Sequence, residues 1–226
     1  MNMKSAFSFI ILYFINGPLF SQISNIPGFG NELMREKKYA DVEGSSYLYP
    51  NWKTGSITDN TGKVYANQLI MYNSYEDVIE INQEGRTLIL NNLLYPKCEF
   101  MFVDEVTKTQ IHRIFQSGFS VEGYTIKNYW EVLFIGDYKF LKKTKTEFMD
   151  QNVSSYGSTS VGKKFITRET YIIIDKLGKS FECRLSKKSF LEALGNDKEL
   201  AEIYIAKTKT KVKSETDFIK VLSSLQ

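Results

Sequence analysis

The string Gly157-Ser-Thr-Ser-Val-Gly-Lys-Lys164 comes within one side chain of a phosphate-binding loop. Such a loop wraps backbone N–H groups around phosphates. It needs a strand before it, a helix after it, and a Ser or Thr at its last position to reach magnesium. Here Lys164 holds that position, and Phe165-Ile-Thr-Arg-Glu-Thr-Tyr-Ile follows, a strand-forming run. Nucleotide is therefore not an expected ligand. The chain has one histidine, His112, so any Ser-His-Asp or Cys-His relay would have to pass through it. It lies beside Arg113 in an alternating, strand-like run with no nucleophile-elbow glycines near it. One histidine and two distant cysteines do not make up a usual zinc site. The expectation is no cofactor, no metal and no catalytic residue of these kinds.

Carboxylates offer the other route to catalysis. Glu76 and Asp77, with Glu80 beyond, and the pair Asp104 and Glu105 supply acids. Glycoside hydrolysis needs two carboxylates facing one bond, about 5–10 Å apart. Neighbours on a strand point to opposite faces, and both groups fall near turns, which favours solvated turn charges. Lys207, Lys209, Lys211 and Lys213 alternate with other residues. Extended, they would present one cationic face to lipopolysaccharide or another envelope polyanion, or guard the edge of a sheet against stray pairing. Tyr47, Tyr49, Trp52, Tyr65, Tyr72 and Tyr75 crowd into one short stretch. They seed a core, or some of them (Tyr47, Trp52, Tyr65, Tyr72 and Tyr75) form a candidate surface for a ligand or partner, since amphipathic rings suit both.

These residues must be carried by strands. Residues 44–81 read as opening hairpins: Gly55-Ser-Ile, a polar turn at Asp59-Asn-Thr-Gly62, then runs at residues 63–65, 68–72 and 78–81. Glycine and asparagine sit where the chain must reverse because they tolerate positive φ. Further strand-like runs follow at residues 87–90, 98–103, 110–116 and 129–135. Gly136-Asp137 suits a tight type II′ hairpin turn, and Lys176-Leu-Gly-Lys179 marks another hairpin. Residues 150–164 are polar and rich in Ser and Gly, and read as a long loop, a lid or a tolerated insertion. Near the end the period changes to helical. Ser186 caps residues 187–194 and Gly195 ends them. Asp197 caps residues 198–206, and Ser214 with Asp217 forms a capping-box-like start to a helix bearing Phe218, Val221, Leu222 and Leu225. Residues 22–43 are a lead-in, with Asn31 placed to cap a short helix or to head a tail. No strand–helix–strand alternation appears, which disfavours a parallel nucleotide-binding sheet.

The first 21 residues read as a signal peptide. Lys4 supplies the positive start, residues 6–15 are apolar, and Leu19 and Ser21 fit a cleavage site before Gln22. The apolar run is shorter than the roughly 20 residues that span a bilayer, so no transmembrane segment is expected after cleavage. No cysteine lies near the site, so no lipid anchor is expected. Export would permit a disulfide between Cys98 and Cys183, while each also fits as a small buried hydrophobe. The formal net charge of +3 is small and evenly mixed, and argues for neither nucleic acid nor an anionic membrane.

Gly44, Ser45, Tyr47 and Leu48, then Trp52, Gly55 and Ile57, then Gly62 and Tyr65, then Leu69, Tyr72, Asn73, Tyr75 and Asp77 form an ordered pattern. It resembles a family of uncharacterised secreted proteins of Bacteroidota-type bacteria. The Lys-rich segment and the closing Ser214-Glu-Thr-Asp-Phe-Ile are similar too. The resemblance implies secretion and a β-rich fold; it implies no activity.

The expected fold is α+β: an antiparallel roll or partly open barrel over residues 44–185, with two or three helices from 186–226 packed on it. A β-sandwich is the alternative. The expected function is an exported, non-enzymatic envelope or secreted module, periplasmic or extracellular, that binds or supports an unknown envelope protein. The alternatives are a carrier of a lipid or small apolar ligand, and a carboxylate-dependent hydrolase.

Overall fold

Aspartates that fold back on their own backbone set the hairpins. Asp59 Oδ1 accepts from the amides of Thr61 and Lys63, and Asp175 Oδ1 from those of Leu177 and Lys179. Gly62 and Gly178 follow at positive φ, where a Cβ would be strained. A computed structural model describes Ile26, Glu32–Leu33, Tyr39, and residues 42–155 and 158–226. The proposed signal peptide lies outside the described residues. The strands are β1 (Glu32–Leu33), β2 (Val42–Glu43), β3 (Lys53–Thr58), β4 (Val64–Asn73), β5 (Val78–Gln83), β6 (Arg86–Ile89), β7 (Lys97–Val103), β8 (Gln110–Gln116), β9 (Trp130–Ile135), β10 (Lys139–Ser155), β11 (Ser158–Ile174) and β12 (Ser180–Cys183). The helices are α1 (Lys187–Ala193), α2 (Lys198–Thr208) and α3 (Glu215–Ser223).

All strands join one sheet in the order β1-β6-β5-β4-β3-β7-β8-β9-β10-β11-β12, antiparallel at each step, with β2 added parallel to β11. Two meanders, β3 to β6 and β7 to β12, therefore meet through their first strands. The architecture is the expected α+β one, an open antiparallel sheet with helices at the C-terminal end. A single sheet, rather than two stacked ones, sets the sandwich aside.

Burial differs between the halves. In the β3–β8 half one face is buried: Ile57, Tyr65, Ile70, Tyr72, Ile79, Ile81, Cys98, Phe100 and Phe115 pack with Ile26 and Tyr129. The other carries Lys97, Glu99 and exposed His112, joined by ion pairs. In the β9–β12 half both faces are covered. Phe140, Ile173 and Cys183 pack under Phe190, Phe218 and Val221 of the helices. Trp130, Leu141, Ile172 and Ile174 pack under Phe119 and Val121 on the other side.

Several sequence expectations need correction. The runs at 63–65 and 68–72 are one strand. Gly55 pairs with Gln68 and Ile57 with Tyr65, so Ala66 and Asn67 oppose Ser56 in a bulge, with Asn67 at φ 55°. The extra residue turns both Tyr65 and Gln68 inward. Residues 150–155 and 158–164 are not loop; they continue the β10–β11 hairpin. Local Ser and Gly content misleads there because long-range pairing overrides propensity. Gly136 does not adopt positive φ. A three-residue link, not a type II′ turn, joins Ile135 to Lys139, and the missing Cβ leaves room for the Gln226 side chain. Glu32 and Leu33 pair with β6 instead of opening a helix. Ser186 and Ser214 cap their helices as expected. Asp197 does not; its carboxylate takes the Tyr138 hydroxyl and Lys176 instead.

Gly55 marks the tightest join. A Cβ there would lie 2.1 Å from the Glu99 carbonyl oxygen and 2.7 Å from Ile70 Cδ1. The obstacle at Glu99 is backbone and cannot rotate away. Gly55→Ala is expected to cost about 1–3 kcal/mol, read as a lower urea midpoint with unchanged m-value.

Candidate functional site

The turn between β4 and β5 gathers the acids and rings singled out in the sequence. Asn73 Oδ1 accepts from the amides of Tyr75 and Glu76, which folds the corner locally. Asp77 completes it at φ 59°. Residues 46–48 run beside the corner. The Ser46 carbonyl accepts from the amide and hydroxyl of Ser74, and the Leu48 amide donates to the Tyr72 carbonyl. On the far side the corner abuts β10, where the Thr146 amide donates to the Ser74 carbonyl and the two hydroxyls lie 2.7 Å apart.

Each acid of the corner has a different environment. Asp77 sits 2.5 Å from Lys143 Nζ and accepts from the Tyr72 hydroxyl and Asn128 Nδ2, both at 2.7 Å. Lys143 is buried and also donates to the Tyr129 carbonyl at 2.8 Å. Desolvation lowers its pKa, and Asp77 only partly opposes that. Glu80 is 1% exposed and accepts from the Tyr47 hydroxyl at 3.1 Å and from Asn73 Nδ2 at 3.4 Å. Burial raises its pKa and neighbouring Glu76 adds to the rise, against the two hydrogen bonds. Glu76 accepts from the Tyr39 hydroxyl at 3.0 Å. That hydroxyl is pushed up to about 12, first by desolvation and then by Glu76.

A ring cluster closes the corner. Tyr75 stands 4.7 Å from Phe148, 5.2 Å from Tyr39 and 5.5 Å from Phe165. Phe148 and Phe165, directly opposed across β10 and β11, stack at 4.7 Å. Of the candidate surface residues, Tyr47, Tyr72 and Tyr75 come together here; Trp52 and Tyr65 do not. Tyr65 and Tyr72 are 3% and 1% exposed, so they are core, not surface. Their hydroxyls reach Asp59 and Asp77 at the rim of that core, which is what allows a tyrosine to be buried.

Elsewhere the candidates disperse. The Asp104 carboxylate accepts from the Val106 and Thr107 amides and from the Thr107 hydroxyl; these bonds lower its pKa, and Glu105 beside it is exposed. His112 pairs with Glu99 on the outer face. Cys98 and Cys183 are free thiols in separate core clusters, so the disulfide that export would permit is not formed. Burial pushes the Cys183 thiol up to about 12 and Cys98 further, which leaves neither a nucleophile. Among the described residues no group of three or more His, Cys, Asp or Glu could hold a metal.

Sequence reasoning missed the buried cations. Arg113 grips Glu131 with two nitrogens, Nε lying 2.6 Å from Oε1, and reaches the Tyr49 hydroxyl. Lys142 bridges Glu169 and Glu215, both at 3.0 Å. The sequence offered little signal, because Lys142 and Lys143 stand in a strand rich in lysine and threonine and their partners are too distant in sequence to read. Comparison with protein-family models, curated proteins and solved structures finds no match for this chain.

Two outcomes follow from the corner. Asp77→Ala strips Lys143 of its counter-charge and is expected to cost about 3–5 kcal/mol. Asp77→Ala combined with Lys143→Met should recover most of that loss in a double-mutant cycle. For Glu80 the folded pKa lies above the unfolded one. Its contribution is therefore complete below the unfolded value near 4.5 and is lost as pH rises through the raised folded value. Glu80→Gln should melt higher than wild type at pH 8, and the advantage should vanish toward pH 4. Equal melting shifts at both pH values would show that Glu80 is not held in this state.

Proposed function

We propose that the chain is an exported, non-enzymatic envelope or secreted module that engages a protein partner through the β10–β11 arm. What supports this most is the length of the arm. Of its 17 cross-strand pairs, β9 accompanies only Lys139 to Lys142 and β12 only Tyr171 to Ile174. The rest runs on as a two-stranded ribbon, roughly 40 Å at the usual rise per residue. Among the described residues its edges are met by Ser74 on β10 at Thr146 and by β2 on β11 at Lys163 and Lys164, and the outermost pairs, residues 151–155 with 158–162, have no further strand beside them. Open strand edges invite a further strand, and β2 already joins β11 this way. An extended segment of an envelope protein is the chemistry such an edge accepts. The signal-like start supports export, and no helix of the described residues is long and apolar enough to cross a membrane.

A carboxylate-dependent hydrolase is a second reading, favoured by one observation: Glu80 has a raised pKa with Glu76 at its side. Against it, Glu80 is almost inaccessible and its oxygens are held by Tyr47 and Asn73. The carrier has less to support it, because the inner face of the β3–β8 half is filled by rings in contact. Phe115 lies 4.9 Å from Tyr72 and 5.6 Å from Phe100.

Two measurements test the proposal. The mature protein should begin at Gln22 on N-terminal sequencing. A photo-crosslinking amino acid at Val153 should yield a discrete adduct in intact cells, whereas one at Val106, on the exposed β7–β8 turn, should not. No adduct from the arm, or the same adducts from both positions, would remove it as the contact.

A further inference from the structure

The lysine run at 207–213 is not a strand, so guarding a sheet edge cannot explain it. Lys207 lies in the last turn of α2, Lys209 ends the helix at φ 54°, and Lys211 and Lys213 follow in the link to α3. All four are exposed. Cations at a helix C-terminus offset the helix dipole, which accounts for Lys207 and Lys209. The same rule makes Lys211 and Lys213 unfavourable, because Ser214 is the cap of α3 and they stand at that helix's positive end.

The backbone here is held in an unusual state. Val212, β-branched and fully buried, has φ 53°. That conformation is rare for such a residue and persists only when its surroundings enforce it. Its burial among Phe218, Val221 and Ile205 pins the link, and its neighbours Lys211 and Lys213 are left outside.

Apolar side chains continue the patch. Leu200 and Ile203 are 59% and 66% exposed and share a helical stripe with Lys207, while Ala201 and Ile205 face the core. Exposed Glu199 and Glu202 stand beside Leu200 and Ile203, so attraction to anionic headgroups has to come from the four lysines that follow. Exposed aliphatics leading into unpaired lysines match the two requirements of an anionic bilayer surface: apolar insertion and headgroup neutralisation. A soluble polyanion would use the lysines alone. The whole-chain charge of +3 hides this local concentration.

We propose that the outer face of α2 and the link to α3 dock on an anionic lipid surface, with Leu200 and Ile203 in the headgroup region and Lys207, Lys209, Lys211 and Lys213 on the phosphates. This is independent of the arm and of export.

The test is co-sedimentation of the purified mature chain, beginning at Gln22, with phosphatidylcholine vesicles, with and without phosphatidylglycerol. Binding should appear only with phosphatidylglycerol and fall with salt. Changing all four lysines to Gln should lower partitioning more than a hundredfold, at about fivefold per lysine. Leu200→Ser with Ile203→Ser should lower it about tenfold with an unchanged melting temperature. Ile203→Trp should show a blue-shifted emission with phosphatidylglycerol vesicles, and inorganic phosphate at equal ionic strength should not reproduce the shift. Equal binding to both vesicle types overturns the proposal. So does full binding by the Leu200/Ile203 variant, which would assign the patch to a soluble polyanion. The arm's crosslinks would be unaffected by either result.

Discussion

Lys143 on Asp77 is the contact on which the two halves of the sheet depend. Among the described residues the meanders share a strand ladder only at β3 and β7, with the Thr146 amide on the Ser74 carbonyl as one further backbone link, so side chains supply the rest of the tie. Lys143 rises from β10 into a space walled by Tyr72, Tyr129 and Trp130. An ammonium cannot be left there without a counter-charge, because the water it gives up is worth several kcal/mol. Asp77 supplies that charge from the other meander. Its placement depends in turn on the Asn73-folded corner and a left-handed backbone at Asp77 itself. Loss of the pair would therefore loosen a corner as well as a bond.

The same corner stabilises the root of the arm. Isolated two-stranded ribbons are marginal in water. Here the inner part is bolted by the Ser74–Thr146 contacts and by the Tyr75, Phe148 and Phe165 rings, and β2 flanks the middle at Lys163 and Lys164. Rings directly opposed on neighbouring strands add about 0.2–1 kcal/mol per pair. These ties take the place of β9 and β12, which stop at Lys142 and Tyr171.

Local signals were legible wherever the physics is local. Asp59 and Asp175 with their glycines, and Ser186 and Ser214 with their helices, act within four residues of themselves. The helical stripe of Phe218, Val221 and Leu222 follows from period alone, and all three are buried. What failed was set by distant partners. Residues 150–164 look like loop until the opposite strand is known. The bulge at Asn67 split one strand into two in the alternation pattern. Tyr65 and Tyr72 have the composition of a binding surface, and only the register of β4, bulge included, puts them on the covered face. Asp77 and Lys143 stand 66 positions apart, and no sequence pattern links them.

Glu80 and Lys143 show two ways of hiding a charge in one small region. Lys143 remains beside an ion partner, at the expense of a lowered pKa. Glu80 has Tyr47 and Asn73 but no cation, so burial moves it toward its neutral form. A neutral Glu80 also avoids repelling Glu76. In both cases the ionisable group is consumed in holding the 46–48 segment, the corner and β10 together. Asp77, Glu80 and Lys143 are thus committed to architecture. Among the described residues the fold also presents outward the strand edges of the outer arm, and exposed lysines that follow the exposed aliphatics of α2.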